Sequence, residues 1–420
     1  MATKKTTTKK PASSAKTATP KSSTITTKKK STKPRTVRKT TETKVDLNLP
    51  KIKVIGVGGS GKSATNYMIK KDVKGVKFVA VNTDVQDLNQ SKATKKIHIG
   101  KTLTSGTGTG MDPEIGKKAA LETKEELVDV LKDTSIVFVT GGMGGGTGTG
   151  ATPVICGIAK ELGILTIAVV TKPFFFEGGR RSSLADEGLG ELAQNVDAYI
   201  VVPNDKILEV ADEDSSMSDA FSLSDKVLLD AVTGVSDLIT TPGRINIDSS
   251  DIRTILENSG MALVGIGSGS GENRAEEAAQ SAIESPLLDV SVRGSQSVLF
   301  SISAGDDLKM SEVSTIAGII TKEIDDDAIV KFGTIRDLKL KKGQIKVTVI
   351  ASRFGETSPL SLPKSTYNET PSYLSSARSV SDDDDIPTIV DESVAGDTYS
   401  EVIDDEEEES TGWSPFGRKK

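Results

Sequence analysis

Gly144-Gly145-Gly146-Thr147-Gly148-Thr149-Gly150 stands between two apolar stretches, and what lies on either side of it decides the fold. Upstream, Ile136 to Val139 leads in through Thr140-Gly141-Gly142-Met143; downstream, Ala151 to Leu162 has helical spacing. A strand, a glycine loop and a helix are thus laid end to end. Glycine accepts φ > 0 and has no Cβ, so the backbone N–H groups of such a loop can converge on an anion. The helix behind it adds the positive end of its dipole. A flexible linker shares the composition but is not set between a strand core and an amphipathic helix, so the loop reads as a phosphate site.

The same alternation continues outward in both directions. Lys51 to Val57 reads as a strand, Lys62 to Ile69 as the opening of a helix, and Val76 to Val81 as a strand. Pro113 suits a first helical turn and predicts a helix running to about Leu131. After the glycine loop come strand Ile164 to Val170, a helix from about Ser182 to Leu192, and strand Ala198 to Val202. This repetition predicts an α/β, Rossmann-like parallel sheet with helices on both faces. Met217 to Ile239, apolar at Phe221, Val227, Leu228, Ala231, Val235, Leu238 and Ile239, predicts a long central helix.

Beyond Ile245 the spacing predicts helix Ser250 to Asn258, strand Ala262 to Ile266, helix Arg274 to Ile283 and strand Val298 to Ile302. Helix Ser311 to Ile320 and strands near Ile329 to Phe332 and Ile345 to Ile350 complete a second, smaller α/β domain. The expected division is a disordered basic tail over 1–48, a first α/β domain over 49–216, the central helix over 217–241 and the second domain over 242–354. A disordered acidic linker (355–409) and a terminal peptide (410–420) follow.

Hydrophobic residues are 35% of the 420 and aromatics 4%, which fits a chain whose ends do not pack. Residues 1–44 hold fourteen Lys/Arg against the single acid Glu42, and 382–409 hold fourteen Asp/Glu and no Lys or Arg. The net charge of −6 therefore hides two oppositely charged tails. The single cysteine, Cys156, lies beside Ile155 and Ile158 on an expected packed face and has no internal disulfide partner. With one histidine, His98, read as a strand residue, there is no zinc-ligand set or Cys/His pair. A reducing, cytoplasmic setting and a soluble protein are expected, since no secretory signal and no apolar run of about eighteen residues is present. The amino-terminal tail is rich in Lys where transit peptides favour Arg, which points away from organelle import.

A second glycine motif, Gly56-Val57-Gly58-Gly59-Ser60-Gly61-Lys62-Ser63, satisfies two nucleotide patterns at once, the P-loop G-x-x-x-x-G-K-S and the dinucleotide fingerprint G-x-G-x-x-G. The P-loop reading needs a strand ending in a Mg2+-binding Asp, but Ile136 to Val139 ends in Thr140-Gly141-Gly142. The dinucleotide reading wants an acid closing the second strand, and Asn82-Thr83-Asp84 is a partial match. Neither accounts for the loop at 144–150.

The two loops together, with Asn82-Thr83-Asp84, Gly106-Thr107-Gly108-Thr109-Gly110 and Pro113, resemble the tubulin/FtsZ superfamily. The likeness continues through Thr171-Lys172-Pro173-Phe174, Glu177, Arg181, Pro203-Asn204-Asp205-Lys206 and Asn246-Ile247-Asp248-Ser249-Ser250-Asp251, covering roughly residues 50 to 353. It implies a GTP/GDP site in which Gly144, Gly145, Gly146, Thr147, Gly148, Thr149 and Gly150 wrap the phosphates. Gly58, Gly59, Ser60, Gly61 and Ser63 would cover them from the first strand, with Asn82 alongside, and Gly106, Thr107, Gly108, Thr109 and Gly110 would sense the γ-phosphate. Glu177 and Arg181 would contact ribose and phosphate, Asn204 and Asp225 would read the guanine edge, and Phe221 would lie against the base. The family usually carries Asn where this chain has Ser63, and Lys62 is not a family requirement. Lys62 is read either as added charge at the site or as an outward residue.

Nothing in the first domain positions an attacking water. By composition Asp248 or Ser249 reads as a helix cap. The resemblance implies instead that Asn246, Asp248 and Asp251 enter the nucleotide pocket of the next subunit as catalytic residues, with Mg2+ held through phosphates and water. A head-to-tail contact that does not close makes a filament. The expectation is a GTP-dependent, self-polymerising GTPase forming a cytokinetic ring at midcell. Membrane-anchor and division proteins would dock on a carboxy-terminal peptide, either Asp385 to Val390 or, favoured here, Trp413 to Lys420. The basic amino-terminal tail could take anionic lipid or nucleic acid. The competing expectations are a tubulin-like filament protein unrelated to division and a P-loop ATPase.

Overall fold

A computed structural model of the chain describes residues 50–210, 216–241, 243–284, 292–337 and 339–354, so the readings of 1–48, 355–409 and 410–420 lie outside the described residues. The strands are β1 (Ile52–Val57), β2 (Val76–Asn82), β3 (Lys95–His98), β4 (Ile136–Gly142), β5 (Leu165–Lys172), β6 (Ala198–Pro203), β7 (Gly260–Ser270), β8 (Ser295–Ala304), β9 (Ile329–Arg336) and β10 (Gln344–Phe354). The helices are α1 (Gly58–Lys70), α2 (Val85–Asn89), α3 (Lys101–Thr104), α4 (Pro113–Glu122), α5 (Lys124–Leu131) and α6 (Gly146–Glu161). They continue with α7 (Gly179–Asn195), α8 (Asn204–Val210), α9 (Met217–Thr240), α10 (Ser249–Leu256), α11 (Arg274–Ile283) and α12 (Met310–Thr321).

The strands form one sheet in the order β3-β2-β1-β4-β5-β6-β7-β10-β8-β9. From β3 to β6 every pairing is parallel. Side chains alternate between two cores, Val54, Phe138 and Ile167 facing one and Ile55, Val139 and Ala168 the other, as period-2 strands covered on both faces require. The first face is covered by α1 and α9, the second by α4, α5, α6 and α7. β6 joins β7 through only Ala198↔Gly260 and Tyr199↔Met261. Beyond that seam β10 runs antiparallel to both β7 and β8, with α11 and α12 over a third core.

The long helix is as its spacing predicts: Leu228, Ala231, Val235 and Leu238 are buried, each larger side chain contributing about 2 kcal/mol. Cys156 is fully buried among the α6 core residues, and burial, reinforced by Asp197, holds its thiol well above the ordinary range. Two expectations are revised. The helix expected from Pro113 to Leu131 is two helices broken at Thr123 (φ −108°, ψ 20°). There Gly100 N–H reaches Thr123 Oγ1 at 3.4 Å, tying the break to the segment before α3. The glycine stretches are also less loop-like than they read: α1 begins at Gly58 and α6 at Gly146, so most of their glycines form first helical turns. Among the described residues no helix is long and apolar enough to cross a membrane.

Candidate functional site

The order 3-2-1-4-5-6 reverses direction between β1 and β4, which are hydrogen-bonded neighbours with Val57 opposite Gly141. Crevices outside the carboxyl ends of parallel strands at such a reversal are where ligands bind. A cleft of about 710 Å³ lies there, lined by the segments after β1 and β4, by Thr109 and Met111, by Thr171 and Pro173 at the end of β5, by Glu177, Arg181 and Asn204, and by the first turns of α9.

Two of the helices that begin at this cleft, those after the glycine motifs, are uncapped. α2, α4, α9 and α10 carry Asp84, Asp112, Ser216 and Asp248 as N-caps, each accepting a backbone N–H. α1 starts after Val57 and α6 after Gly145, with no side-chain cap and no acid in the first turn. Their first N–H groups are left for a ligand, and two dipole ends add to the attraction for an anion. The segment after β2 is tied to the start of α6 by Thr83 Oγ1 and Thr147 Oγ1 at 2.7 Å.

Two glycines separate ligand space from packing. Gly148 lies against the backbone of Gly142, where a Cβ would collide with the carbonyl. Gly145 has an ordinary extended backbone (φ −96°, ψ 171°), and a Cβ there would meet no protein atom within 4 Å. Nothing in the chain itself demands glycine at 145; the space its Cβ would take is the cleft.

The far end of the cleft has different chemistry. Phe221, 43% exposed, stands edge-on to Phe174 with ring centroids 5.3 Å apart. Asn204 is buried and accepts from Ser224 Oγ at 3.0 Å, leaving its amide N–H groups as donors. Burial pushes Asp225 up to about 6, and no hydrogen bond or ion pair falls on its carboxylate among the described residues. A flat apolar ring, a donor and a desolvated acceptor suit the edge of a nucleobase that offers both donors and an acceptor. Between the two ends, Glu177 is ion-paired to Arg181 and accepts from Phe174 N–H at 3.0 Å.

Of the residues expected to hold nucleotide, Gly58, Gly59, Ser60, Ser63, Thr109, Gly145, Gly146, Thr147, Gly148, Glu177, Arg181, Asn204, Phe221 and Asp225 line the cleft. The others do not line it. Gly61 is pressed against Gly56 and Thr140, and Gly150 against Pro113. Gly144 N–H donates to Thr149 Oγ1 at 2.8 Å, which holds the loop closed. Asn82 donates to Asp87 at 2.8 Å, and Thr107 bridges to Asp84 while its hydroxyl donates to Thr104 O. Gly106, Gly108 and Gly110 carry that segment through left-handed backbone. Sequence reasoning missed Met111, Met143, Ser218 and Ser222 as lining residues. Ser218, Phe221, Ser222 and Asp225 follow helical spacing on α9, so a polar stripe interrupted by one exposed aromatic was the available signal.

Lys62 is taken out of play: it is ion-paired to Asp87 and does not line the cleft. The place beside β1 where a P-loop enzyme would carry its metal-binding Asp is held by Thr140 to Gly142. Asn246, Asp248 and Asp251 also lie outside their own chain's cleft. Asn246 Oδ1 accepts from Gly243 N–H at 2.7 Å. Asp248 caps α10 by accepting Asp251 N–H at 2.8 Å and Ser250 Oγ at 2.7 Å, bonds that hold its carboxyl below the usual range, and Asp251 Oδ1 lies 2.7 Å from Lys331 Nζ.

Residues 51–212 match the Tubulin/FtsZ family, GTPase domain, and residues 260–355 match the FtsZ family, C-terminal domain. The chain is 48% identical over 307 residues to the cell division protein FtsZ of Pseudomonas putida, covering 73% of this chain and 77% of that protein. An FtsZ dimer from M. jannaschii superposes with a TM-score of 0.68 at 40% identity, over 72% of this chain and 88% of that one. In fold alone, CetZ2 from Haloferax volcanii, solved as a GTPγS-bound protofilament, is also similar, with a TM-score of 0.61 at 22% identity over 72% and 92% of the two chains.

Proposed function

The chain belongs to the FtsZ branch of the tubulin/FtsZ family, a GTP-binding, self-associating GTPase of the division cytoskeleton, and we propose that its active site is divided between two successive subunits. The supporting observation is a deficit. The cleft is lined by two acids: Glu177 is paired to Arg181, and Asp225 stands at the far end beside Phe221 and Asn204. Asp87, whose carboxylate lies beside Gly59, is held by Lys62 and Asn82 and does not line the cleft, so the uncapped helix starts have no free lining carboxylate to orient an attacking water.

In this reading Gly58, Gly59, Ser60, Gly61 and Ser63, with Gly144 to Gly150, receive the phosphates, Gly106 to Gly110 respond to the γ-phosphate, and Glu177 and Arg181 hold ribose and phosphate. Asn204 and Asp225 read guanine, and Phe221 covers the base. Asn246, Asp248 and Asp251 of the following copy close the site and orient water. Mg2+, with phosphate oxygens and water as its ligands, would neutralise charge developing on the transferred group.

The division into 49–216, the central helix 217–241 and 242–354 is supported by the narrow β6–β7 seam. We extend the proposal to a ring at midcell on the cytoplasmic side of the membrane. Anchor and division proteins would be recruited by the carboxy-terminal peptide, with anionic lipid or nucleic acid at the basic amino-terminal tail.

Filament pelleting in GTP, GDP and ATP tests the nucleotide assignment: polymer is expected with GTP, and equal polymer with ATP would count against guanine recognition. For the divided site, subunits carrying Asp251→Ala are mixed with subunits whose pocket is blocked by Gly145→Ala. Asp251→Ala is expected to be inactive and Gly145→Ala impaired at limiting GTP, and GTPase activity in the mixture should exceed the sum of the two at interfaces that combine an open pocket with an intact acid. Absence of recovery would argue for a site within one chain.

A further inference from the structure

The segment carrying the proposed catalytic acids is fastened along one strand. β9 pairs with β8 on one side and ends the sheet. On its other side Thr334 N–H donates to Ile245 O at 3.0 Å, and Ile245 N–H donates to Thr334 Oγ1 at 3.0 Å. One residue back, Gly333 lies against Ile247, whose side-chain carbons would be 2.9 Å from a Cβ at 333. Two residues further back, Lys331 Nζ meets Asp251 Oδ1 at 2.7 Å. The exposed edge of a strand is thus covered by the acid loop at 245, 247 and 251.

We propose that Lys331 is a positioning residue for the GTPase reaction, fixing Asp251 through one carboxylate oxygen so that the other is presented to water at the neighbouring subunit's nucleotide. This rests on the reading of Asp251 as a catalytic acid. Oδ1 is the Asp251 oxygen that meets Lys331 at 2.7 Å, and no hydrogen bond falls on Oδ2 among the described residues. The side chains are 42% and 27% exposed in the isolated chain, a setting in which an ion pair adds little stability. Its value is electrostatic and geometric. Two carboxylates at 248 and 251 must approach a triphosphate, and an ammonium held against one of them offsets that repulsion once the interface excludes water. Lys331 also bears on Asp248, lowering its proton affinity further.

The experiment compares full-length wild type, K331M, K331R, D251A and K331M/D251A, measuring GTP KM, pelleted polymer and phosphate release per polymerised subunit. K331M is expected to lower kcat per polymerised subunit about tenfold with KM unchanged, the scale on which small misplacements of a reacting group act. K331R should recover to within about threefold, because the bond and charge survive, and K331M should add nothing to D251A. Wild-type kcat in K331M beside an inactive D251A would overturn the proposal alone; wild-type kcat in D251A would remove the acid reading and the proposal with it. Loss of polymer mass in K331M with turnover per polymerised subunit intact would also overturn it, as a purely structural role. Should K331M fail to assemble, K331Q is measured by the same criteria.

Discussion

Lys62 and Asp87 are ion-paired behind the first turn of α1, and the second oxygen of Asp87 accepts Asn82 Nδ2 at 2.8 Å. The lysine of an apparent P-loop is thereby a structural cation. Its side chain is 12% exposed, so Lys62→Met leaves Asp87 partly buried with one partner and should cost about 1–2 kcal/mol in urea unfolding. GTP affinity should stay within about threefold of wild type, whereas a phosphate-binding P-loop lysine would lose far more.

Gly145 and Gly148 should separate ligand space from packing. Gly145→Ala adds a Cβ to open space in an ordinary backbone conformation, so the melting temperature is expected to hold while GTP affinity falls by about tenfold or more. Gly148→Ala drives a Cβ into the Gly142 backbone and should destabilise the fold by about 1–3 kcal/mol as well. Calorimetric titration with parallel melting curves reads both.

Asp225 links nucleotide binding to pH. Its folded pKa of about 6 lies above the ordinary 3.8, so the native chain holds this proton over a range in which the unfolded chain has released it. The associated stability is complete below about pH 3.8 and is lost as pH rises through about 6. Asp225→Asn should therefore raise the melting temperature of the nucleotide-free protein at neutral pH. The proposed guanine contact needs the ionised form, so GTP affinity should fall as pH drops through about 6 in wild type, and the variant should bind weakly with a flat profile. Equal pH dependence in the two proteins would remove Asp225 from base recognition.

Asp248 has two separable roles. Asp248→Asn keeps a good N-cap and the fold, but should lower GTPase activity per polymerised subunit by about tenfold or more. Asp248→Ala should lose the cap too, a further cost of about 1 kcal/mol in thermal unfolding. Full activity in the Asn variant with loss in the Ala variant would leave Asp248 as a cap only.

Local chemistry carried much of the fold. Period-2 apolar runs and 3.6-residue stripes marked β1, β2, β4, β5, β6 and α9 within a few residues, because both signals arise from burial of neighbouring positions. Two elements without such a signal, α2 at Val85–Asn89 and α3 at Lys101–Thr104, span little more than one turn and are too short to repeat a period. The break at Thr123 was hidden because apolar spacing continues across it from α4 to α5, and the contact with Gly100 that accompanies it comes from another segment.

The sequence by itself determined that two glycine-rich segments join apolar strands to helices, and hence that the chain binds a phosphate ester, since glycine at those places is a local backbone property. Tertiary structure decided everything that depends on partners far apart in the chain: that Lys62 meets Asp87, that Asp225 is half-buried without a partner while Phe221 is exposed, and that the acid loop lies along β9, with Ile245 and Thr334 bonded across 89 residues. A side chain's charge, reach and hydrogen-bonding capacity are written in its identity, but which of them is used is set by the neighbour that folding brings to it.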